Sequence, residues 1–262
     1  MDRDTFGQQI DALDAGRGAV PTTGWTATRV SGRDAVGWLN DLVTADVEHL
    51  EPGGVVRSLL LSPTGRIRAD LLVAVEPGSL LSLQSPDQPR TLDELLSPYV
   101  LSSDVVLEPA ASDGVLVGGI QGWRLKAEAP PGHVVVGPEP FEAWRIRRGI
   151  ARFPIDLDEE SLPAEAGLDR EPVIDRGKGC YLGQESVAKV RNLGHPTRVV
   201  VPVTAEGAVS EGDRVRSAAE EVGVVTSLDG SNAIIRIRWA ARDSALETDR
   251  GTPLRPAYPP FG

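Results

Sequence analysis

Residues Gly177 to Arg198 read G-K-G-C-Y-L-G-Q-E-S-V-A-K-V-R-N-L-G-H-P-T-R. The stretch holds the chain's single cysteine, Cys180, and three glycines, Gly177, Gly179 and Gly183, within seven positions. Glycine permits positive φ and close backbone approach, so this opening reads as a tight loop. From Gln184 the residues favour a helix or extended turn carrying Glu185, Lys189 and Arg191. Gly194-His195-Pro196 ends it, because proline cannot extend a helix and restricts the residue before it. The product is a thiol on a glycine loop with cationic side chains close in sequence. Such cations favour the thiolate, the reactive form of cysteine. The alternative is a small buried hydrophobe, the usual fate of a free cysteine.

The rest of the composition narrows what that thiol can do. The 262 residues suffice for one large domain or two to three small ones. Net charge is -11, which opposes non-specific binding to nucleic acid or an anionic membrane. One cysteine excludes an internal disulfide, a CxxC zinc site and a self-contained four-cysteine iron–sulfur cluster. With three scattered histidines, no permanently bound metal is expected. The polar, acidic N-terminus shows no signal peptide, and no apolar run reaches membrane-spanning length. These features read as a cytoplasmic protein.

Upstream of the loop, periodicity gives mixed α and β structure. Gly24–Val30 alternates as a strand, and Ser31 with Asp34 resembles a capping box for a helix over 32–42. That helix is expected to bury Ala35, Val36, Trp38, Leu39 and Leu42. Strands follow over 55–62, 66–75 and 80–84, the first two joined by a Pro63-Thr64-Gly65 turn. Thr91 and Glu94 open a second helix. Short strands cover 105–107 and 115–117, and 123–126 is expected to pair with 133–136 around Pro130-Pro131-Gly132. Residues 139–149 read as a helix with Arg145, Arg147 and Arg148 near its C-terminus. Beyond Arg198 the pattern is strands only, the mark of a small antiparallel barrel, with a Pro/Gly-rich tail from Arg250 that wraps rather than packs.

No G-x-S-x-G, Walker A, H-E-x-x-H or G-x-G-x-x-G motif occurs. Asp70 is the other candidate, a carboxylate in the apolar run Ala69–Val73. Burying it requires a partner. Its plain reading is an outward-facing residue on an alternating strand.

Lys178-Gly179-Cys180-Tyr181-x-Gly183-Gln184-Glu185 resembles the signature of the YgfZ/Iba57 family, folate-binding relatives of the glycine-cleavage T-protein implicated in iron–sulfur protein maintenance. Other pieces stand in the family's order: Trp38-Leu39 with Thr44-x-Asp46, Pro63-x-Gly65-Arg66 with Asp70, Arg145-x-x-x-Gly149-Ile150, Leu162-Pro163-x-Glu165 and Val222–Ser227. The resemblance covers nearly the whole chain.

It implies an α+β, three-lobed T-protein-like fold around a central channel, with residues 1–198 as the folate-binding region and 199–262 as a C-terminal β-barrel. It implies tetrahydrofolate or a related reduced folate as ligand, held by Lys178, Gly179, Tyr181, Gln184, Glu185, Arg147 and Arg198. Cys180 and Asp70 are the catalytic candidates, Asp70 matching the T-protein's catalytic aspartate. One departure stands out: Arg147 occupies the place of the T-protein's pterin-recognising glutamate. A guanidinium only donates, whereas a carboxylate accepts the two parallel N–H bonds a pterin offers.

The function so implied is an accessory role in assembly or repair of iron–sulfur proteins, with those proteins or cluster carriers as partners. Cys180 is the working thiol, able to ligate a cluster only transiently and shared with a partner. The alternatives are a folate-dependent aminomethyl or one-carbon transferase using Asp70, or a non-catalytic folate-pocket scaffold.

Overall fold

Pro63-Thr64-Gly65 turns the chain between two apolar strands, β3 (Gly54–Leu61) and β4 (Ile67–Glu76), in the computed structural model, which describes residues 3–257. Gly65 N–H donates to Ser62 O at 2.8 Å and Ser62 N–H to Arg66 O at 2.7 Å, closing the hairpin. Around it the chain lays down α1 (Arg3–Asp14), β1 (Gly18–Pro21), β2 (Thr26–Ser31), α2 (Ala35–Asn40), β5 (Ser79–Gln84), α3 (Leu92–Leu96), β6 (Val106–Ala110), β7 (Val115–Gly119), β8 (Gly122–Lys126) and β9 (Val134–Val135). These strands form one nine-stranded sheet in the order β6-β2-β5-β4-β3-β8-β7-β1-β9. Its core beneath α2 and α3 is built from Val30, Leu39, Val43, Leu60, Ala69, Leu71, Val73, Leu80 and Leu92.

The remaining elements are α4 (Pro138–Arg147), a 3₁₀ turn at Pro163–Ala166, α5 (Gln184–Leu193), β10 (Arg198–Ala205), β11 (Arg214–Ser217), β12 (Glu220–Asp229), β13 (Asn232–Arg238), β14 (Leu246–Thr248) and β15 (Pro253–Pro256). Strands β10 to β15 close a six-stranded antiparallel barrel in the order β10-β13-β12-β11-β14-β15. Inward Val199, Val201, Val203, Val215, Val225, Ile235 and Ile237 fill it. The chain divides into two compact units. Unit 1 takes the described residues up to Phe141 together with Asp169–Glu185; unit 2 takes Glu142–Leu168 and the residues from Ser186 onward.

Several expectations are corrected. Ahead of Gly24, where no element is expected from the sequence, stand helix α1 and strand β1. Strands β8 and β9 do not pair: β8 forms a two-residue hairpin with β7 and also pairs β3, while β9 lies parallel to β1. The glycines at Gly119 and Gly122 make that nearer turn, so the Pro130-Pro131-Gly132 turn joins no hairpin. Ser31 and Asp34 form no capping box. Asp34 Oδ2 instead accepts from Asp104 N–H at 2.8 Å, helix α2 starts at Ala35, and Val36 faces outward. At Thr91 and Glu94 the capping box does form. The tail does not merely wrap. Pro253–Pro256 pairs with β10 and β14 and closes the barrel; residues 258–262 lie outside the described part.

Candidate functional site

The signature loop is fixed in unit 1 by groups spread along segment 173–183 and the turn 40–47. Thr44 is fully buried. Its Oγ1 donates to Val173 O at 2.7 Å and accepts from Leu59 N–H at 2.9 Å, while its own carbonyl accepts from Asp175 N–H at 3.0 Å. Asp175 Oδ1 then accepts from Gly177 N–H at 2.7 Å and Lys178 N–H at 2.9 Å, an Asx-type turn. Asp46 makes a similar turn with Glu48 and His49, and its Oδ2 lies 2.7 Å from His49 Nδ1. Burial pushes the Asp46 carboxyl up, but the bonds from His49 and Glu48 more than offset this and hold it below the usual range. Asp46 raises His49 in turn.

Lys178 does not reach toward the cysteine. Its Nζ donates to the carbonyls of Asn40 at 2.5 Å, Val43 at 2.8 Å and Ala45 at 2.8 Å, and sits 5.8 Å from the centre of the Tyr181 ring. Burial pushes its pKa from the ordinary 10.5 down to about 8, with Asp46, Asp175 and Asp41 acting the other way. Between about 8 and 10.5 the unfolded chain binds the proton that the folded chain has released, so stability rises with pH across that window. The chain has three lysines, so the Cε–Hε signals of a [13C]lysine sample separate readily. The expected result is a Lys178 midpoint near 8. A midpoint above 10 would mean that the three carbonyls outweigh burial.

Beyond Lys178 the loop alternates between exposed and anchored residues. Gly179 and Cys180 are exposed, Tyr181 is buried, and Leu182 packs on the sheet core. Gly183 has φ +83°, and a Cβ there would lie 2.5 Å from Ser62 O and 3.2 Å from Gly65 Cα. The β3–β4 turn and the loop therefore meet at a point only glycine fits. Gln184 and the exposed Glu185 form the first turn of α5, where an acid suits the helix dipole.

Asp70 lies on β4 in the same unit. Arg57, diagonal to it on β3, donates Nε to Oδ1 at 2.9 Å and Nη2 to Oδ2 at 2.6 Å, leaving the Asp70 side chain 12% exposed. Its main chain is held by the Gln88 amide in both directions, at 3.0 and 2.6 Å. Neither Arg57 nor Gln88 was singled out from sequence. The available signal was a β-hairpin placing an arginine one diagonal from an acid.

Arg147 and Arg198 lie in unit 2. Arg147 Nε donates to Asp229 Oδ2 at 2.6 Å at the end of β12, with its side chain 42% exposed. Arg198 is exposed at the start of β10. The neighbouring Arg145 is buried. It donates to Glu142, to Asp156 Oδ2 at 2.7 Å, to Ser227 Oγ at 2.8 Å and to Ile150 O at 3.1 Å. Glu165 is also buried and accepts from Arg236 at 2.9 Å, so Leu162-Pro163-x-Glu165 braces the barrel. Among the described residues no cluster of three or more His, Cys, Asp and Glu is placed to hold a metal ion, and no helix is long and apolar enough to cross a membrane. A groove of about 740 Å³ in unit 1, edged by His49, Arg124, Lys126 and His133, takes in none of the candidate catalytic or ligand-binding residues named from the sequence.

An aminomethyltransferase T of the glycine cleavage system from Bartonella henselae matches with a TM-score of 0.77, covering 98% of this chain and 89% of that one at 15% identity. The protein therefore has the T-protein fold, mixed α+β with a closed six-stranded barrel. In sequence it is similar to proteins described as mitochondrial iron–sulfur cluster assembly factor IBA57 homologues. The homologue from Mycosarcoma maydis is 28% identical over 67% of this chain and 54% of its own length; that from Pyricularia oryzae is 26% identical over 69% and 57%. A putative chloroplastic transferase from Arabidopsis thaliana is 22% identical over 87% of this chain and 65% of that protein. The chain spans a little over half the length of the two fungal relatives. No family model matches it.

Proposed function

We propose that the protein is an accessory factor in assembly or repair of iron–sulfur proteins, with Cys180 as its working thiol. The observation that carries this is the exposed Cys180 at the tip of a loop braced on both sides, in a chain related to IBA57 homologues. A braced, uncovered thiol suits brief contact with a client protein or cluster carrier. One cysteine cannot hold a cluster unaided, so any cluster is cargo shared with that partner.

Reduced folate is the ligand this reading assigns to the T-protein-like region, residues 1–198. The groups present fit a pterin only in part. In unit 1 Asp70 supplies a carboxylate, yet both its oxygens accept from Arg57; in unit 2 Arg147, which the sequence resemblance matches to the T-protein's recognising acid, is a donor already paired with Asp229. Titration calorimetry with tetrahydrofolate is expected to show weak binding that tightens in Arg147→Glu. An unchanged affinity would remove Arg147 from the site. One-carbon transfer through Asp70 needs a carboxylate free to position the amine donor or the folate, and both of its oxygens already accept from Arg57. We place the protein in the cytoplasm, whereas the relatives above are named mitochondrial or chloroplastic; cell fractionation decides between them.

The direct test is cellular. In cells lacking their own factor of this type, the wild-type chain is expected to restore activity of a [4Fe–4S] enzyme. Cys180→Ser, at equal protein level, is expected to lose most of that rescue. Full rescue by the serine variant would sink the thiol reading and leave the scaffold role.

A further inference from the structure

An ammonium group has three N–H donors and no acceptor. At Lys178 all three are matched: Asn40 O at 2.5 Å, Val43 O at 2.8 Å and Ala45 O at 2.8 Å. All three acceptor residues are buried. Asn40 is the last residue of α2, where outward-pointing carbonyls lack helical partners and attract cations. Lys178 thus supplies a donor set that this turn lacks, and it has no N–H left for a folate, a cluster or the Cys180 sulfur. Its presence in the signature needs another explanation.

Lys178 stands two residues before Cys180. Asp175 shapes the backbone leading into it, through bonds to the amides of Gly177 and Lys178. After the cysteine the next fixed points are Tyr181, buried beneath the ammonium, and Gly183, pressed against the β3–β4 turn. Only Gly179 and Cys180 of the segment 178–181 are exposed. We infer that Lys178 is a positioning residue: its side chain threads into a cage of three main-chain carbonyls and so determines where Cys180 is presented. The inference uses the proposed role of Cys180 only for its consequence in cells; the placement itself is testable without it.

Because Cys180 is the sole thiol, bromotrifluoroacetone labels it alone, and the 19F resonance reports the loop. In the wild type the label is expected to show one shift, displaced from that of the urea-unfolded chain, with the line width of the folded protein. Lys178→Met keeps length and removes the donors. Its resonance is expected to move to the unfolded-chain position and sharpen, while far-UV circular dichroism is unchanged. Lys189→Met, on the exposed side of α5, is expected to leave the spectrum as it is. Lys178→Ala opens the cage, and propylammonium at millimolar concentration is expected to restore the wild-type shift; tetramethylammonium, which has no N–H, is not. Rescue by the one amine and not the other reads the cage rather than general stability.

A folded Lys178→Met with the wild-type spectrum overturns the inference. If Lys178→Met does not fold, Lys178→Arg takes its place. A planar fork cannot converge on three carbonyls, so its spectrum is expected to shift, and an unshifted one overturns the inference equally. In the cell assay, a displaced label with full enzyme rescue would leave the placement standing and sink the Cys180 reading, so the two failures are told apart.

Discussion

Arg145→Ala is expected to destabilise unit 2 by about 3–5 kcal/mol, the range for removing one partner of a buried ion pair. The side chains of Arg145 and Asp156 are 4% and 0% exposed. Asp156 Oδ2 accepts from Arg145 and from Arg152 N–H at 3.0 Å, and its Oδ1 accepts from Thr226 Oγ1 at 2.5 Å and Ser227 Oγ at 2.7 Å. Removing the guanidinium leaves a buried carboxylate with neutral donors only, and it leaves Ile150 O without its donor. Burial works against the charge of Arg145, but Glu142 and Asp156 more than offset it and raise its pKa, so it stays charged at every working pH. The control is Asp156→Asn. If uncompensated charge is the main cost, the double variant is less destabilised than the sum of the singles. Urea unfolding, with hydrogen exchange to assign the transition to residues 142–168 and the barrel, gives the measurement. A loss under 1 kcal/mol in Arg145→Ala would show that water replaces the guanidinium, contrary to a dry clamp.

This clamp explains why part of the fold was legible in sequence and why some roles were not. Arg145-x-x-x-Gly149-Ile150 looks like a binding motif when adjacent to Arg147. In three dimensions its arginine ties a helix end to barrel strand β12, and a Cβ on Gly149, at φ +65°, would lie 2.8 Å from Pro202 Cγ. Short-range rules worked where the partner is within a few residues, as in the Thr91 capping box and the Pro63–Gly65 turn. They failed where a distant group competed. Asp34 gave up its cap for an amide seventy residues away, and β9 left its expected partner for β1. The loop at Cys180 was legible as a glycine-rich turn, but the sequence left open whether its thiol is buried or exposed; exposure is set by the anchoring of Lys178 and Tyr181 on either side. The destination of Lys178 was not, because a lysine's sequence neighbours say nothing about which carbonyls lie within reach of its four-carbon stem. Asp70 falls between the two cases: the need for a partner was readable, and the identity of Arg57 required the register of β3 on β4.

The two inner glycines of the signature should behave in opposite ways, and the contrast separates architecture from chemistry. Gly183→Ala puts a side chain at φ +83°, where an L-residue pays about 1–2 kcal/mol. The new methyl also lies 2.5 Å from Ser62 O and 3.0 Å from Leu61 Cβ, and the nearer contact is backbone that cannot swing aside. Moving the β3–β4 turn to make room adds about 1–3 kcal/mol, as overpacking does elsewhere. Unit 1 should therefore lose roughly 2–5 kcal/mol in chemical denaturation. At Gly179 a methyl would meet nothing within 4 Å, and φ is not positive. Gly179→Ala should change stability by no more than about 0.5 kcal/mol. If Gly179 is there so that a ligand or partner backbone can approach Cys180, this stable variant will still lose rescue in the cell assay. If it rescues fully, the open space over Gly179 has no occupant, and the signature's demand for glycine reduces to the contact at Gly183. A Gly183→Ala chain as stable as the wild type would instead mean that the loop does not press on the β3–β4 turn, and the brace on the C-terminal side of Cys180 would rest on Tyr181 and Leu182 alone.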